Sequence, residues 1–309
     1  MTGIQVLLVA GTHGNEINAP WLFDKWNKNP DLINDCGLSV LKEIGNPSAS
    51  KKNRRYIDRD LNRSFSFELL NKIDNSEYEI KRAKDLLAKY GSNGSSPCQI
   101  VIDFHSTTSS MGSSLVVYGR RSVDLALASL IQFRLGLPIY LHEGDKTQTG
   151  FLVEAWPCGL VVEIGPVSQG LLHERVIKQT LIALQACLAE IAKVKSREAN
   201  YPQSLFVHRH LKSVECPRDI DKQLSGPISP NIQGKDWQPV NYRDPIFSLI
   251  NGESREILDD NISYPVYPVF INEVAYKEKN ISMSLTNREV WNYRDKWGED
   301  LYNLINRVN

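Results

Sequence analysis

No apolar run in the sequence approaches the roughly 20 residues that cross a bilayer, so no transmembrane helix is expected. The N-terminus lacks a basic region and a long apolar stretch before a small-residue cleavage site, so no secretory signal is expected either. An excess of charge is missing too: Lys+Arg and Asp+Glu both number 36, and the formal net charge is zero. That speaks against general affinity for nucleic acid or an anionic membrane, and leaves room only for a local basic cleft. The five cysteines (Cys36, Cys98, Cys158, Cys187 and Cys216) are scattered, odd in number and never in a C-x-x-C pair. Free thiols in a reducing cytoplasm fit this better than disulfides or a cysteine-type zinc site. Internal repeats and low-complexity tracts are absent. What remains is an ordinary globular composition, 41% hydrophobic and 23% charged over 309 residues. That length holds one large core or a large and a small domain.

Four apolar runs, at residues 4–9, 38–44, 100–104 and 160–164, predict buried strands, and 114–118 predicts a fifth. Runs rather than alternating patterns suit a largely parallel sheet covered on both faces. Helical patterns fall between them, at 19–26, 78–90, 123–135 and 174–194. Alternating strands and helices mean an α/β layered domain. Near residue 200 the polar stretch "KSREANYPQS" reads as a linker. Beyond it, short runs rich in proline, glycine and aromatics predict a smaller, mostly β domain. The expected division is therefore 1–200 and 201–309. The last segment, 288–308, has Val290, Trp297, Leu301, Leu304 and Val308 at helical spacing and predicts an amphipathic terminal helix.

In an open parallel sheet, ligands bind beyond the carboxyl ends of the strands. Three predicted strands end in reactive side chains. The first runs into "VAGTHGNEIN", with His13 and Glu16 between two glycines. The strand at 100–104 leads into His105, in "IVIDFHSTTS". The strand at 160–164 carries Glu163, in "GLVVEIGP". In parallel strands, all would meet at one edge of the sheet. Alone, the H-x-x-E is a turn whose Glu16 serves a helix N-terminus, and His105 alone is a buried hydrogen-bonded histidine. Together they supply two imidazoles and a carboxylate, a donor set that holds Zn²⁺ and leaves a position for water. Asp103 shares a strand face with His105 and could accept its imidazole N–H. His142, His173, His208 and His210 follow no predicted strand and read as surface or structural.

"NRRYIDRDLNRSF", residues 53–65, packs Arg54, Arg55, Arg59 and Arg63 with Asp58, Asp60 and Asn62. A solvated charged loop is one reading. Tyr56, Ile57, Leu61 and Phe65 would instead anchor it to the core, where arginine and asparagine can clamp a substrate carboxylate.

Taken in order, "GTHGNE", "NRRYIDRDLNRSF", "DFHSTTSSMG", "VVEIGPVSQG", "PNIQGKDWQP" and "YPVYPVFINEVAYKEKN" resemble the aspartoacylase and succinylglutamate desuccinylase family. The core of that family is like that of zinc carboxypeptidases. The likeness runs over nearly the whole chain. It implies a mixed, largely parallel sheet flanked by helices, with a smaller β-rich C-terminal domain. It implies one Zn²⁺ per subunit, with His13, Glu16 and His105 as ligands. Glu163 matches the general base and acid, and also touches substrate. Arg55 matches the arginine that polarises the scissile carbonyl. Asn62 and Arg63 match the pair that binds a substrate carboxylate, and Tyr276 matches a tyrosine brought to the pocket by the C-terminal domain. Asp58 and Asp60 match acidic neighbours expected to orient Arg55 and Arg63.

The implied activity is zinc-dependent hydrolysis of an N-acyl amino acid, foremost N-acetyl-L-aspartate. The alternatives are an acylase for N-acyl aromatic amino acids, a succinylglutamate desuccinylase, a carboxypeptidase-like peptidase, and a non-catalytic metal or amino-acid binding protein. Animal aspartoacylases carry an arginine and a tyrosine for the second substrate carboxylate in the segment before the strand of Glu163. Here that segment, "EGDKTQTGFLVEAWP", has neither, and Lys146 is the substitute on offer. The expected protein is cytoplasmic, and its terminal helix covers the core or joins subunits into a homo-oligomer.

Overall fold

A computed structural model describes residues 5–72, 76–145, 148–249, 252–256 and 261–306. The apolar run near the N-terminus forms β1 (Gln5–Ala10), followed by α1 (Asn18–Lys28), β2 (Ser39–Ile44), the short α2 (Pro47–Lys51) and α3 (Phe67–Leu70), and α4 (Tyr78–Tyr90). Then come β3 (Ile100–Ser106), β4 (Ser113–Tyr118), α5 (Ser122–Leu135), β5 (Ile139–His142), β6 (Cys158–Ile164) and α6 (Glu174–Lys195). The rest comprises β7 (Ser204–Glu215), β8 (Pro245–Ser248), β9 (Ser254–Glu256), β10 (Tyr267–Val269), β11 (Ile281–Asn292) and α7 (Asp295–Asn306). Among the described residues no helix is long and apolar enough to cross a membrane. All five cysteines are free thiols.

Nine of these strands make one sheet in the order β10-β11-β7-β5-β4-β6-β3-β1-β2. The strands β2, β1, β3 and β6 are mutually parallel. Strand β4 then runs antiparallel to β6, β5 and β7 follow β4 in parallel, and β11 turns back against β7. The sheet is therefore mixed and mostly parallel. One face carries Val6, Leu8, Ile102, Val117, Leu141 and Val207 into a core closed by α1, α5, α6 and α7. The other face carries Leu7, Val9, Val101, Val116, Tyr140 and Val161, packed with Leu61, Phe65, Leu86, Trp156 and Phe270. This second face, less fully covered by helices, holds the site.

The residues beyond 200 are continuous with the sheet through β7, β10 and β11. They also carry a core of their own, around Val240, Phe247, Val266, Ile271 and Leu285. The terminal helix is shorter than the sequence pattern predicts. Residues 288–292 belong to β11, where Arg288 through Asn292 pair with His208 through Ser204 of β7. Ladder hydrogen bonds and the β-favouring Val290 and Trp291 outweigh a weak helical spacing there. Helix α7 begins at Asp295 and buries Trp297, Leu301 and Ile305 against the helical layer. Ile4 and Val308 lie outside the described residues.

Candidate metal centre and active site

Strand β1 ends at Ala10, and the chain turns sharply at Gly11, whose φ is +65°. Glycine takes that conformation at no steric cost. Gly14 has a different reason to be glycine: a Cβ there would lie 2.1 Å from the Ala49 carbonyl carbon and 2.2 Å from the Ser50 nitrogen. Its own N–H donates to the Arg55 carbonyl at 3.1 Å. The loop is thereby pressed between α2 and the arginine-rich segment, with His13 and Glu16 facing inward.

His13, Glu16 and His105 are buried, and each offers one ligand atom within 4.8 Å of the others. His13 Nδ1 lies 2.6 Å from Glu16 Oε1 and 3.1 Å from His105 Nδ1. His105 Nδ1 lies 3.1 Å from Glu16 Oε2. The outer imidazole nitrogens meet acceptors. His105 Nε2 donates to Asp103 Oδ2 at 2.7 Å, and Thr12 Oγ1 holds the same carboxylate at 2.8 and 3.0 Å. His13 Nε2 faces Asp60 Oδ1 at 3.0 Å. Two networks are open to His13. With its proton on Nε2 it donates to Asp60; with its proton on Nδ1 it donates to Glu16 and accepts from Arg55 Nη2 at 2.8 Å. A cation at the centre selects the first, because both Nδ1 lone pairs then point inward. Two imidazoles and a carboxylate converging on one point, with their outer N–H groups facing carboxylates, fit a Zn²⁺ site.

Burial alone would raise the Glu16 carboxyl, but His13 and His105 pull it well below the usual carboxylate range. Burial would lower the His105 imidazole, yet Asp103 and Glu16 hold it well above the usual histidine value. Asp60 is half-buried, which would raise its carboxyl, yet His13 and Arg55 beside it hold it far down.

Glu163 sits directly beside His105 in the β3–β6 register, on the same face. Its Oε2 is buried without a hydrogen-bond partner. Burial pushes its carboxyl up to about 8, opposed by His105 and reinforced by Glu16 and Glu273. A carboxyl so placed can take a proton near neutral pH and give it back.

The arginine-rich loop is a built structure. Glu79, fully buried on α4, accepts from the backbone N–H groups of Ile57, Asp58 and Arg59 and from Asn46 Nδ2. Leu61 and Phe65 are buried, as expected, while Tyr56 and Ile57 are half-buried. Arg55 donates to Asp60 Oδ2 at 3.0 Å and approaches Glu16 at 3.6 Å. Arg63 lies over the Phe151 ring, 3.9 Å from its centroid, and donates to Gln148 Oε1 at 3.2 Å. Asn62 Oδ1 accepts from Leu152 N–H at 2.9 Å, which leaves its NH₂ end to offer a ligand. The structure departs from expectation at Asp58. Its carboxylate accepts from Tyr78 N–H at 2.7 Å, satisfying the free N-terminus of α4 rather than orienting an arginine.

The cleft over this centre is lined by His13, Glu16, Arg55, Asn62, Arg63 and Glu163, and by Tyr276 from the C-terminal part. His105 stands behind them in the centre itself, and Arg54 is exposed. The sequence reading missed the aromatic lining of Tyr118, Tyr140, Phe151 and Phe270, and three acidic or imidazole groups in or beside the cleft escaped it as well. Glu79 shapes the arginine loop from beneath. Glu273 ties the Tyr276 segment to the end of β3, accepting from Thr107 Oγ1, Thr108 N–H at 2.8 Å and Ser109 N–H at 3.2 Å. His142 ends β5 and lines the cleft. His142, His208 and His210 are all buried, so none is a surface histidine; His173 is exposed. The signal for His142 was present: "IYLH" is a short apolar run ending in a polar residue, as "VIDFH" is. Lys146, the substitute considered for the second carboxylate, lies outside the described residues.

Residues 2–191 match the succinylglutamate desuccinylase/aspartoacylase catalytic domain, and residues 203–288 match the AstE/AspA barrel-sandwich hybrid domain. The chain belongs to the succinylglutamate desuccinylase/aspartoacylase family. A protein of Prochlorococcus marinus called a probable aspartoacylase is 56% identical over 306 residues, covering 99% of this chain and 100% of its own. A probable aspartoacylase of Parasynechococcus marenigrum is 51% identical over 99% of this chain and 100% of its own. Among solved structures, murine aminoacylase 3 is 30% identical and superposes with a TM-score of 0.85 over 95% of this chain and 98% of that one. The α/β part thus has the zinc-carboxypeptidase-like fold of the family, completed by the hybrid domain.

Proposed function

We propose that this family member is a zinc-dependent amidohydrolase that cleaves N-acyl amino acids, foremost N-acetyl-L-aspartate, to the carboxylate and the free amino acid. The observation that carries the reading is the partnerless, buried Oε2 of Glu163, facing the same cleft as the His13–Glu16–His105 cluster and Arg55. His13, Glu16 and His105 would hold one Zn²⁺ per subunit. When bound, that ion acts as a Lewis acid and makes water a nucleophile near neutral pH.

The chain's own groups do the rest. Glu163 takes the proton of the attacking water and returns it to the leaving nitrogen. Arg55 is held by Asp60, so its guanidinium is fixed where negative charge grows on the carbonyl oxygen. Arg63 and the NH₂ end of Asn62 grip the substrate's carboxylate. Tyr276, brought in by the segment that Glu273 latches, closes the cleft against water. Asp103 and Asp60 keep the two imidazoles in the tautomer that offers Nδ1. We further read residues 1–200 as the hydrolase part and 201–309 as the part that completes the pocket, in a cytoplasmic protein.

A second reading has its own support. Tyr118 and Phe151 stack at 3.7 Å between centroids beside Tyr140 and Phe270, giving the cleft an aromatic wall. That wall favours N-acyl aromatic amino acids as the alternative substrates. Purified protein, stripped by chelation and reloaded with zinc, should be assayed on N-acetyl-aspartate, N-acetyl-tyrosine and N-succinyl-glutamate. Full activity in metal-free protein would overturn the metal requirement, and failure of the zinc-loaded protein to turn over any acyl amino acid would overturn the hydrolase reading.

A further inference from the structure

Besides Glu163 Oε2, the residues lining the cleft hold two more buried polar atoms without a partner, Arg63 Nε and His142 Nε2. His142 pairs with Tyr118 across β5 and β4, and the same register sets Tyr140 beside Val116. These side chains share the face that bears Glu163, since Ser114, two residues before Val116, pairs with Glu163. The His142 ring is held on several sides, with Phe151 at 5.3 Å, Tyr118 at 5.8 Å and His210 at 5.0 Å between centroids. Its Nδ1 faces the Tyr140 hydroxyl at 3.3 Å, and that hydroxyl lies 3.0 Å from His210 Nδ1. Nε2 is therefore on the far side of the ring, where it is buried and has no hydrogen-bond partner, while the Gln148 backbone stands near enough to the ring to favour the charged imidazole.

The hydroxyl of Tyr140 has one proton to give. Given to His142 Nδ1, it leaves the imidazole proton of His142 on Nε2, while His210 Nδ1–H donates to the Tyr140 oxygen. The reverse relay, with the Tyr140 proton on the His210 side and His142 Nδ1–H donating to the Tyr140 oxygen, is equally open, and Ser284 also reaches that hydroxyl; an anionic ligand oxygen at Nε2 selects the first, which ends in an unused N–H. Burial, His210 and Arg63 push the imidazole down to about 3 against the smaller opposing pull of Asp145 and the Gln148 backbone, so the ring is neutral at ordinary pH. A neutral donor in an aromatic wall, close enough to feel Arg63, suits an anionic oxygen whose charge Arg63 shares. A buried donor left unmade is costly, so a ligand that satisfies it gains accordingly.

We propose that His142 Nε2–H is the specificity-determining donor for the side-chain carboxylate of the acyl amino acid. The assignment rests on the N-acyl-aspartate reading above and supplies a second-carboxylate contact from the end of β5. The test compares N-acetyl-aspartate with N-acetyl-alanine, which has no side-chain oxygen, in zinc-loaded wild type, His142→Phe and His142→Gln. In His142→Phe the preference for N-acetyl-aspartate should fall about ten- to a hundredfold in kcat/KM, chiefly through KM. In His142→Gln, whose amide nitrogen reaches nearly the same point, most of the preference should return. An equal loss on both substrates, an unaltered preference, or a wild-type preference for N-acetyl-tyrosine over N-acetyl-aspartate overturns the proposal. Calorimetric binding of N-acetyl-aspartate separates the two readings. If the wild type hydrolyses nothing, the hydrolase reading fails; weaker binding by His142→Phe would still support the donor, and equal binding would overturn it.

Discussion

Gly14→Ala tests the geometry of the proposed metal loop. The added Cβ would stand 2.1 Å from the Ala49 carbonyl carbon and 2.2 Å from the Ser50 nitrogen. Carbon atoms in contact ordinarily sit about 3.5–4.0 Å apart, so roughly 1.4 Å of separation has to be found. Neither neighbour can rotate away, because both are backbone of α2, whose first turn is held by Asn46 accepting from Ala49 N–H at 3.0 Å. The flexible partner is the loop, and His13 and Glu16 lie one and two residues from the clash. Ligand distances in a metal site tolerate only about 0.2 Å. Zinc affinity should therefore drop by at least about tenfold, by the same tolerance argument. Overpacking of this kind costs about 1–3 kcal/mol, which in a chain of this size lowers Tm by roughly 2–6 °C. The measurements are a competitive zinc titration and a thermal melt of the metal-free protein. Gly37→Ala is the control: its φ is +70° but nothing lies within 4 Å of the added Cβ. It should cost about 1–2 kcal/mol of backbone strain and leave zinc affinity untouched. Wild-type zinc affinity in Gly14→Ala would refute the reasoning.

Three further outcomes follow from the same geometry. Glu163→Gln should keep zinc binding and lose about 10²–10⁴ in kcat; near-wild-type turnover would remove Glu163 from the chemistry. Asp103→Asn should weaken zinc binding by about 10–100-fold, since Asn cannot accept the His105 proton as an anion; equal zinc affinity would show that His105 needs no such partner. Zinc affinity should rise with pH. His105 is held protonated well above its ordinary range by Asp103 and Glu16, so the ion must displace that proton, and binding strengthens until pH passes the raised value. Calorimetry in buffers of different ionisation enthalpy should show proton release on zinc binding, and a pH-independent affinity would contradict it.

Much of the α/β part was legible from local pattern. Helix α4 falls at residues 78–90 as its periodicity predicts, and α5 and α6 begin or end within one residue of their patterns. Strand β5 was missed because four residues after a proline are too few to show a period. The strand character of residues 288–292 was missed because it depends on pairing with β7, about eighty residues earlier in the chain. Asp58 was misjudged for a similar reason. Among four arginines it looks like their partner, yet the donor its carboxylate meets in space is the N-terminus of α4.

The sequence by itself determined which side chains gather at the proposed centre: a glycine-bracketed H-x-x-E after one strand, and single acidic and imidazole residues at the ends of two others. Such patterns survive in sequence because covalent neighbours and strand periodicity place those atoms locally. Only the tertiary structure decided what surrounds them. Asp60 reaches His13 across 47 residues, Glu273 reaches Thr108 across 165, and His142 joins the cleft because β4 reverses direction beside β6. Those partnerships depend on the order and hand of the sheet, a long-range property set by packing of the whole core, and no short stretch of the chain carries it.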